Sequence, residues 1–363
     1  GLALALVALV LTGGLLYADH YLTGKMTTDD DFDSLSASDL HQTATEADGR
    51  LEREERFSEA LSGLEEQLAD LPSFTEVDRY LLSNNDIPAE ALAKLDTGKA
   101  PRSSYLSSDA SKIQVFVLFG LDGVDSSDSV MLVALDRVHQ KIKLISLARD
   151  SYVFIPEFAS FSKLAYSYTW GGAAMAVKNL NYNYYLNVSD YIAVDFDQLA
   201  QIIDRIGGVT VNIDEDEARY LSGYPNVRVG DCLLDGETAV SYARIRKSSA
   251  TDSDRKRTGR QREVILSILN TLQTMPLSQY PGFVRDCLGM CATSFEAETL
   301  LTMAAETLGQ NYTVEQYFFP EGQVDWWAGL IKEYFYYVYD LRRASDRIYR
   351  IIYEELYISG YDD

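Results

Sequence analysis

Between Arg244 and Arg262 the chain reads R-I-R-K-S-S-A-T-D-S-D-R-K-R-T-G-R-Q-R. Eight residues there are basic (Arg244, Arg246, Lys247, Arg255, Lys256, Arg257, Arg260, Arg262) and two are acidic (Asp252, Asp254). The whole chain of 363 residues carries a formal charge of −23. A basic patch in so acidic a protein suits one specific anion; nonspecific polyanion binding needs a broadly basic surface, so no nucleic acid is expected as a partner. Clustered guanidiniums grip phosphate or pyrophosphate through paired N–H donors. Arg257 and Gln261 lie one helical turn apart. Because a helix is predicted to open at Arg257, its cations oppose the macrodipole there, and a bound anion would remove the conflict.

Three other stations could serve the same chemistry. Gly120-Leu121-Asp122-Gly123, followed by Ser127-Asp128-Ser129, joins one predicted strand to the next. Asp122 and Asp128 could share a hard cation whose shell phosphate oxygens and waters complete; a plain solvated turn has the same composition. Arg149 in Leu147-Ala148-Arg149-Asp150-Ser151 leaves the end of a buried strand, either toward that turn or into a surface pair with Asp150. Lys163, between aromatics and before Gly171-Gly172, either faces an anion at a helix start or snorkels to the surface. Three histidines, His20, His41 and His139, give no basis for a Ser-His-Asp or Cys-His mechanism. Three cysteines, Cys232, Cys287 and Cys291, do not make a disulfide framework. Cys287 and Cys291 could pair or stay reduced.

The elements that must position these residues read as α/β. Ile113–Phe119, Val130–Leu135 and Ile142–Leu147 are short β-branched and aromatic runs, expected as neighbouring strands. A helix at Gly172–Asn181, a strand at Tyr191–Phe196, a helix at Asp197–Ile206 and a strand at Val209–Ile213 follow. Helices are expected at Asp235–Tyr242, Arg257–Leu272, Glu296–Leu308 and Tyr339–Leu356, with a strand at Tyr312–Phe319. Such alternation predicts a layered α/β domain.

Gly1–Tyr17 has no charge and approaches the roughly 20 residues that span a bilayer. It reads as a membrane anchor; a cleaved signal peptide is the rival, and Tyr17-Ala18-Asp19 is a poor cleavage site. Asp29–Asp48 holds seven acids and no Lys or Arg, unlike a cytoplasmic flank. The bulk of the chain is therefore expected outside the cell membrane. The expected order is an anchor over 1–18, an acidic stalk over 19–50, and a helical accessory segment over 51–110. A core over 111–275 and an α/β extension packed on it over 276–363 complete the chain. Within the accessory segment, helices are predicted at Leu51–Leu71, at Thr75–Leu82 and from Pro88.

From Val115 to Leu272 the chain resembles the LytR-CpsA-Psr family of membrane-anchored cell-wall proteins. The resemblance rests on the G-x-D turn, S-D-S-V-M at Ser127–Met131 and I-S-L-A-R-D-S at Ile145–Ser151. It continues through Lys163 and Tyr168, Asp195-Phe196-Asp197 and G-G-V-T-V-N-I at Gly207–Ile213. L-D-G-E-T-A-V-S-Y-A-R-I-R-K at Leu234–Lys247 and R-T-G-R-Q at Arg257–Gln261 complete it. It implies a three-layer sandwich, with a central mixed β-sheet between helical layers and an apolar tunnel for a lipid, preceded by an N-terminal transmembrane helix.

The function implied is transfer of an anionic glycopolymer, such as a teichoic acid, from a polyprenyl-pyrophosphate carrier to peptidoglycan by magnesium-assisted phosphoryl transfer. The alternative is a regulator of wall metabolism that binds or hydrolyses polyprenyl pyrophosphate without transfer. Position by position, the resemblance gives Asp122 and Asp128 to Mg2+. It gives Arg149, Lys163, Arg244, Arg246, Arg257 and Gln261 to the pyrophosphate, with Arg149, Asp122 and Arg257 catalytic. The chain departs from the family at Gly123-Val124-Asp125, at Lys163-Leu164-Ala165 and at Asp252–Arg257. Asp122 and Asp150 are both candidates for the general base.

Overall fold

A computed structural model describes residues 27–28, 71–98, 108–122, 127–245, 250–275, 290–295, 299, 303, 312–320 and 324–353. The anchor, nearly all of the stalk, nearly all of the Leu51–Leu71 helix, most of the Glu296–Leu308 helix, Arg246 and Cys287 lie outside these residues. Among the described residues, no helix is long and apolar enough to cross a membrane.

The strands are β1 (Thr27–Thr28), β2 (Ile113–Leu121), β3 (Ser127–Asp136), β4 (Lys141–Leu147), β5 (Tyr152–Ile155), β6 (Ser160–Lys163) and β7 (Asp190–Asp195). They continue as β8 (Val209–Ile213), β9 (Gly230–Leu234), β10 (Ala292–Thr293), β11 (Thr313–Phe319), β12 (Trp326–Ile331) and β13 (Tyr334–Tyr339). The helices are α1 (Phe74–Val77), α2 (Ala89–Leu92), α3 (Leu164–Tyr184), α4 (Phe196–Arg205), α5 (Glu215–Tyr220), α6 (Gly236–Arg244), α7 (Ala250–Thr274) and α8 (Leu341–Tyr353). Together they form the expected α/β class with a mixed sheet.

The chain divides into two compact units. The first comprises Gly1–Thr28, Leu118–Val124 and Ile192–Tyr312; the second comprises Asp29–Val117, Asp125–Tyr191 and Thr313–Asp363. β2 runs from the second into the first.

In the second unit β2, β3, β4 and β11 lie in that order. β3 and β4 pair antiparallel, from Val130↔Leu147 to Asp136↔Lys141. β11 pairs with β4 in parallel, from Thr313↔Lys141 to Phe319↔Leu147. β3 is buried along almost its whole length, as an apolar strand covered on both faces must be. α3 packs on β3, and α8 packs on β4 and α3. β5 pairs with β6, and β12 with β13.

α3 begins eight residues before the expected Gly172, at Leu164. Gly171 (φ −149°) and Gly172 (φ 61°, ψ −159°) are non-helical inside it. The Gly-Gly pair therefore marks a break within a longer helical segment. Gly172 needs its glycine for the left-handed φ alone, since no atom lies within 4 Å of where a Cβ would stand.

In the first unit, β8 alternates buried and exposed residues and pairs antiparallel with β9. α4 and α5 each start on a capping box, Asp195 with Gln198 and Asp214 with Glu217. α6 starts on Asp235, whose carboxylate accepts from Thr238 N at 2.9 Å. A Cβ on Gly236 would stand 2.0 Å from Ala200 O, so only glycine lets α6 approach α4 this closely.

The patch helix corrects one expectation. α7 begins at Ala250, seven residues before Arg257. Arg257 therefore sits about two turns inside, beyond the first turn to which macrodipole effects are confined. Its claim to an anion must rest on burial and neighbours.

Candidate functional site

In the second unit the site is built on the turn that follows β4. Ser151 N and Ser151 Oγ both donate to Ala148 O, at 3.0 and 2.6 Å, closing the turn. The start of α3 then grips it: Leu164 N donates to Ser151 O and Ala165 N to Arg149 O, each at 3.0 Å. Two of the backbone donors that any helix start leaves over are thus spent on the turn. β13 grips it too, through Tyr337 N donating to Asp150 O at 2.9 Å. Strand end, helix start and hairpin are locked together around Arg149, Asp150 and Lys163.

The side chains make a chain of ion pairs. Arg149 Nη1 meets Asp128 Oδ1, and Arg149 Nε lies 3.7 Å from Asp150 Oδ2. Lys163 Nζ donates to Asp150 Oδ1 at 2.7 Å. Lys163 and Asp150 are 12% and 13% exposed, so the pair is reachable from solvent yet mostly desolvated. The structure decides against a purely surface role for either residue. Arg149 does pair with Asp150, but it also reaches Asp128, and neither side chain snorkels away.

Lys163 immediately precedes α3. Its ammonium lies 5.9, 5.8 and 5.3 Å from the ring centroids of Tyr166, Tyr334 and Tyr336. Tyr80 packs behind, 5.0 Å from Tyr166 and 5.6 Å from Tyr334. Burial, then Tyr334, Tyr80 and Asp150, pushes the Tyr166 phenol up to about 12. Burial likewise pushes Tyr336 above its ordinary range. Both rings are therefore neutral at physiological pH and are unsuited to act as bases there. Tyr166 is one of the aromatics that flank Lys163 in the sequence, but Tyr80, Tyr334 and Tyr336 are not among the residues that the sequence singles out. The run Y-F-Y-Y-V-Y at Tyr334–Tyr339 is the available signal, as a two-sided aromatic strand.

The first unit holds the remaining residues. Asp122 follows the end of β2, and Arg244 ends α6 with its guanidinium 4.7 Å over the Phe196 ring. On α7, Arg257 is 3% exposed and Gln261 8% exposed. Gln261 Nε2 is buried with no hydrogen-bond partner among the described residues. A buried amide in that state suits a ligand acceptor.

Arg260 leaves the anion set. Its Nε donates to Glu217 Oε1 at 2.6 Å and its Nη1 to Ile245 O at 3.1 Å. The other oxygen of Glu217 accepts from Asp214 N at 2.9 Å, so one carboxylate both caps α5 and holds Arg260. Tyr242 Oη donates to Glu263 on the same helix as Arg260. Cys291 is buried, which pushes its thiol up to about 11.

Carboxylate and hydroxyl oxygens are the donor class a divalent cation such as Mg2+ takes. In the second unit Asp128 adjoins Ser127, whose buried hydroxyl has no hydrogen-bond partner among the described residues; Asp122 belongs to the first unit. Among those residues no group of three or more His, Cys, Asp or Glu could hold a metal by itself. Substrate oxygens and water would have to complete the shell, as Mg2+ commonly allows.

Residues 85–348 match the model of the LytR_cpsA_psr family. A polyisoprenyl-teichoic acid–peptidoglycan teichoic acid transferase TagU of Oceanobacillus iheyensis is 29% identical over 230 residues, 60% of this chain and 69% of that protein. The regulatory protein MsrR of Staphylococcus aureus is 30% identical over 184 residues, 48% of this chain and 54% of that protein. The chain thus spans about half the length of that second relative. A solved structure of TagT bound to LI-WTA superposes with a TM-score of 0.56 at 20% identity, covering 71% of this chain and 98% of that one. A structure of the LytR-CPS2A-psr family protein YwtF (TagT) with octaprenyl pyrophosphate bound superposes at 0.52 and 19% identity, covering 72% and 97%. At these identities the two structures speak to the fold.

Proposed function

Because the chain belongs to the LytR-CpsA-Psr family, we propose that it transfers an anionic glycopolymer of the teichoic acid type from a polyprenyl-pyrophosphate carrier to peptidoglycan. In this reading the uncharged start anchors it in the membrane, with the remainder on the extracytoplasmic side. The observation that carries the reading is the clamped turn. Two cations, Arg149 and Lys163, are held on two carboxylates, Asp128 and Asp150, by backbone bonds from a helix start and a hairpin. The relatives' names support the substrate: one is a teichoic acid transferase, and one solved neighbour holds octaprenyl pyrophosphate.

The charge balance says what else is required. Arg149 and Lys163 are matched by Asp128 and Asp150, so this cluster alone offers a pyrophosphate little net attraction. Arg244, Arg246, Arg257 and Gln261 supply further donors, and Asp122 and Asp128 would hold Mg2+. Bound there, the metal would neutralise charge on the pyrophosphate oxygens. The protein's own groups then bind and orient: cations grip the phosphates, and Gln261 donates its unused N–H.

In the transfer, the acceptor hydroxyl oxygen bonds to the sugar-side phosphorus. The bond to the lipid-side phosphate breaks, and polyprenyl phosphate leaves. The hydroxyl proton goes to a carboxylate of the site, Asp122 or Asp150.

The test is polymer release from a short-chain lipid pyrophosphate, with and without a chelator. Asp128→Asn should cut turnover much more than stability, because the swap keeps shape and removes charge. Chelator-insensitive activity would defeat the magnesium assignment. Hydrolysis without polymer on peptidoglycan would favour the regulator suggested by MsrR.

A further inference from the structure

We propose that Tyr166, Tyr334 and Tyr336 are positioning residues for Lys163, a cage whose ring faces hold the ammonium where the pyrophosphate arrives. The proposal rests on the reading that Lys163 grips that pyrophosphate.

A lysine ammonium sits on a flexible four-carbon stem and is strongly hydrated. Left alone, it would have to be ordered and stripped of water each time an anion bound. Here three rings stand within 6 Å of Nζ, inside the range where a ring face attracts a cation. Asp150 adds a 2.7 Å ion pair from the remaining side. The ammonium is thus pre-placed by neutral rings that cannot compete with the phosphate as anions, and by one carboxylate.

The cage is rigid for reasons visible in its surroundings. Tyr336 belongs to a buried cluster with Leu82, Tyr152, Ile331 and Val338. It meets Tyr152 edge-on at 6.0 Å. Tyr334 and Tyr336 share one face of β13, two residues apart, as the strand period requires. β13 is tied to the site turn by the bond from Tyr337 N to Asp150 O. The hairpin, about 170 residues past Lys163 in sequence, thereby becomes part of the site.

The Tyr336 hydroxyl does not explain why an aromatic stands there. It is buried with no hydrogen-bond partner among the described residues. The hydroxyl of Ser162 donates instead to Tyr80 O at 2.6 Å. Ring, not hydroxyl, is the working part, so phenylalanine should serve at position 336 at least as well.

The experiment measures binding of farnesyl pyrophosphate to the full chain in detergent by calorimetry, as a double-mutant cycle. Lys163→Met should weaken binding. Tyr336→Leu and Tyr334→Leu should each weaken it by about three- to thirtyfold when Lys163 is present, and have little effect in the Lys163→Met background. Tyr336→Phe should bind like wild type and melt no lower. If Tyr336→Leu fails to fold, the partly exposed Tyr334 gives the same cycle. Equal losses in both lysine backgrounds, or a loss in Tyr336→Phe, would overturn the cage while leaving Lys163 a ligand. No loss in Lys163→Met would overturn the reading of Lys163 itself, and the cage with it.

Discussion

Two lysine–aspartate pairs in the second unit look alike on paper and differ in surroundings. Lys143 Nζ lies 3.0 Å from Asp136 Oδ2, and Lys163 Nζ lies 2.7 Å from Asp150 Oδ1. Lys143 and Asp136 are sealed, both side chains at 0% exposure. Their remaining capacity is used internally: Lys143 also donates to Ile352 O at 3.1 Å, and Asp136 bonds His139 Nδ1 at 2.8 Å. That pair ties the end of α8 to the sheet. The Lys163 pair is reachable, faces ring π-systems in place of a second hydrogen-bond acceptor, and shares its aspartate with Arg149. A cation whose every partner is internal holds the fold, whereas one held by a single carboxylate and rings can turn to a ligand.

The largest effect should separate the two lysines by stability. Lys143→Met leaves Asp136 buried beside fewer partners and should cost about 3–5 kcal/mol in denaturant unfolding. Lys163→Met leaves Asp150 beside Arg149 and within reach of water, so it should cost less in the same measurement, about 1–2 kcal/mol. A comparable loss in both would break the distinction.

Next come two arginines of α7. Arg260→Met breaks the buried pair with Glu217 and should act on stability. Arg257→Ala should act on the ligand, losing about 1.5–3 kcal/mol of lipid-pyrophosphate binding, or roughly ten- to over a hundredfold. Equilibrium binding beside thermal melting tells the two apart.

A smaller effect is set by pH. Burial raises Asp136, but the bonds from His139 and Lys143 outweigh it and hold the carboxyl below its ordinary value of 3.8. A depressed carboxylate contributes stability that is present above 3.8 and lost as pH falls through the lower folded value. Acid titration of melting should show that loss in the wild type and a flatter profile in Asp136→Asn. Identical profiles would remove Asp136 from the account.

The smallest effect should be Arg262→Ala. Arg262 is half-buried and lies off the Arg257–Gln261 face, so binding should change by no more than about 0.5 kcal/mol. A loss equal to that of Arg257→Ala would mean that the wrong face of α7 has been assigned.

Much of the fold is legible in the residues alone. Val209–Ile213 is predicted to the residue, because its alternation is clean and Gly207-Gly208 stops the helix before it. β2, β3 and β4 are predicted within a few residues, because β-branched runs between turn residues leave little else to be. Lys163 before a helix, and Arg149 after a strand, follow from spacing. The β5–β6 and β12–β13 hairpins escape such a reading. Their turns lack the Asn-Gly or Asp-Gly signal, and the tyrosines of β13 carry no simple polar alternation. The start of α7 lies about two turns ahead of its predicted place, because polar Ala250–Lys256 has no apolar stripe to mark it.

By itself the sequence determined the element types, the strand–turn stations and the kinds of charge available, since those follow from local propensity, period and composition. Tertiary structure alone decided what each charge does. Arg260 looks in the sequence like one more cation of the basic patch, yet it is claimed by a carboxylate 43 residues away. Lys163 acquires its rings from residues 166, 334 and 336. A charge's role is set by whichever groups surround it once water is removed, and those groups arrive from parts of the chain whose distance no local pattern encodes.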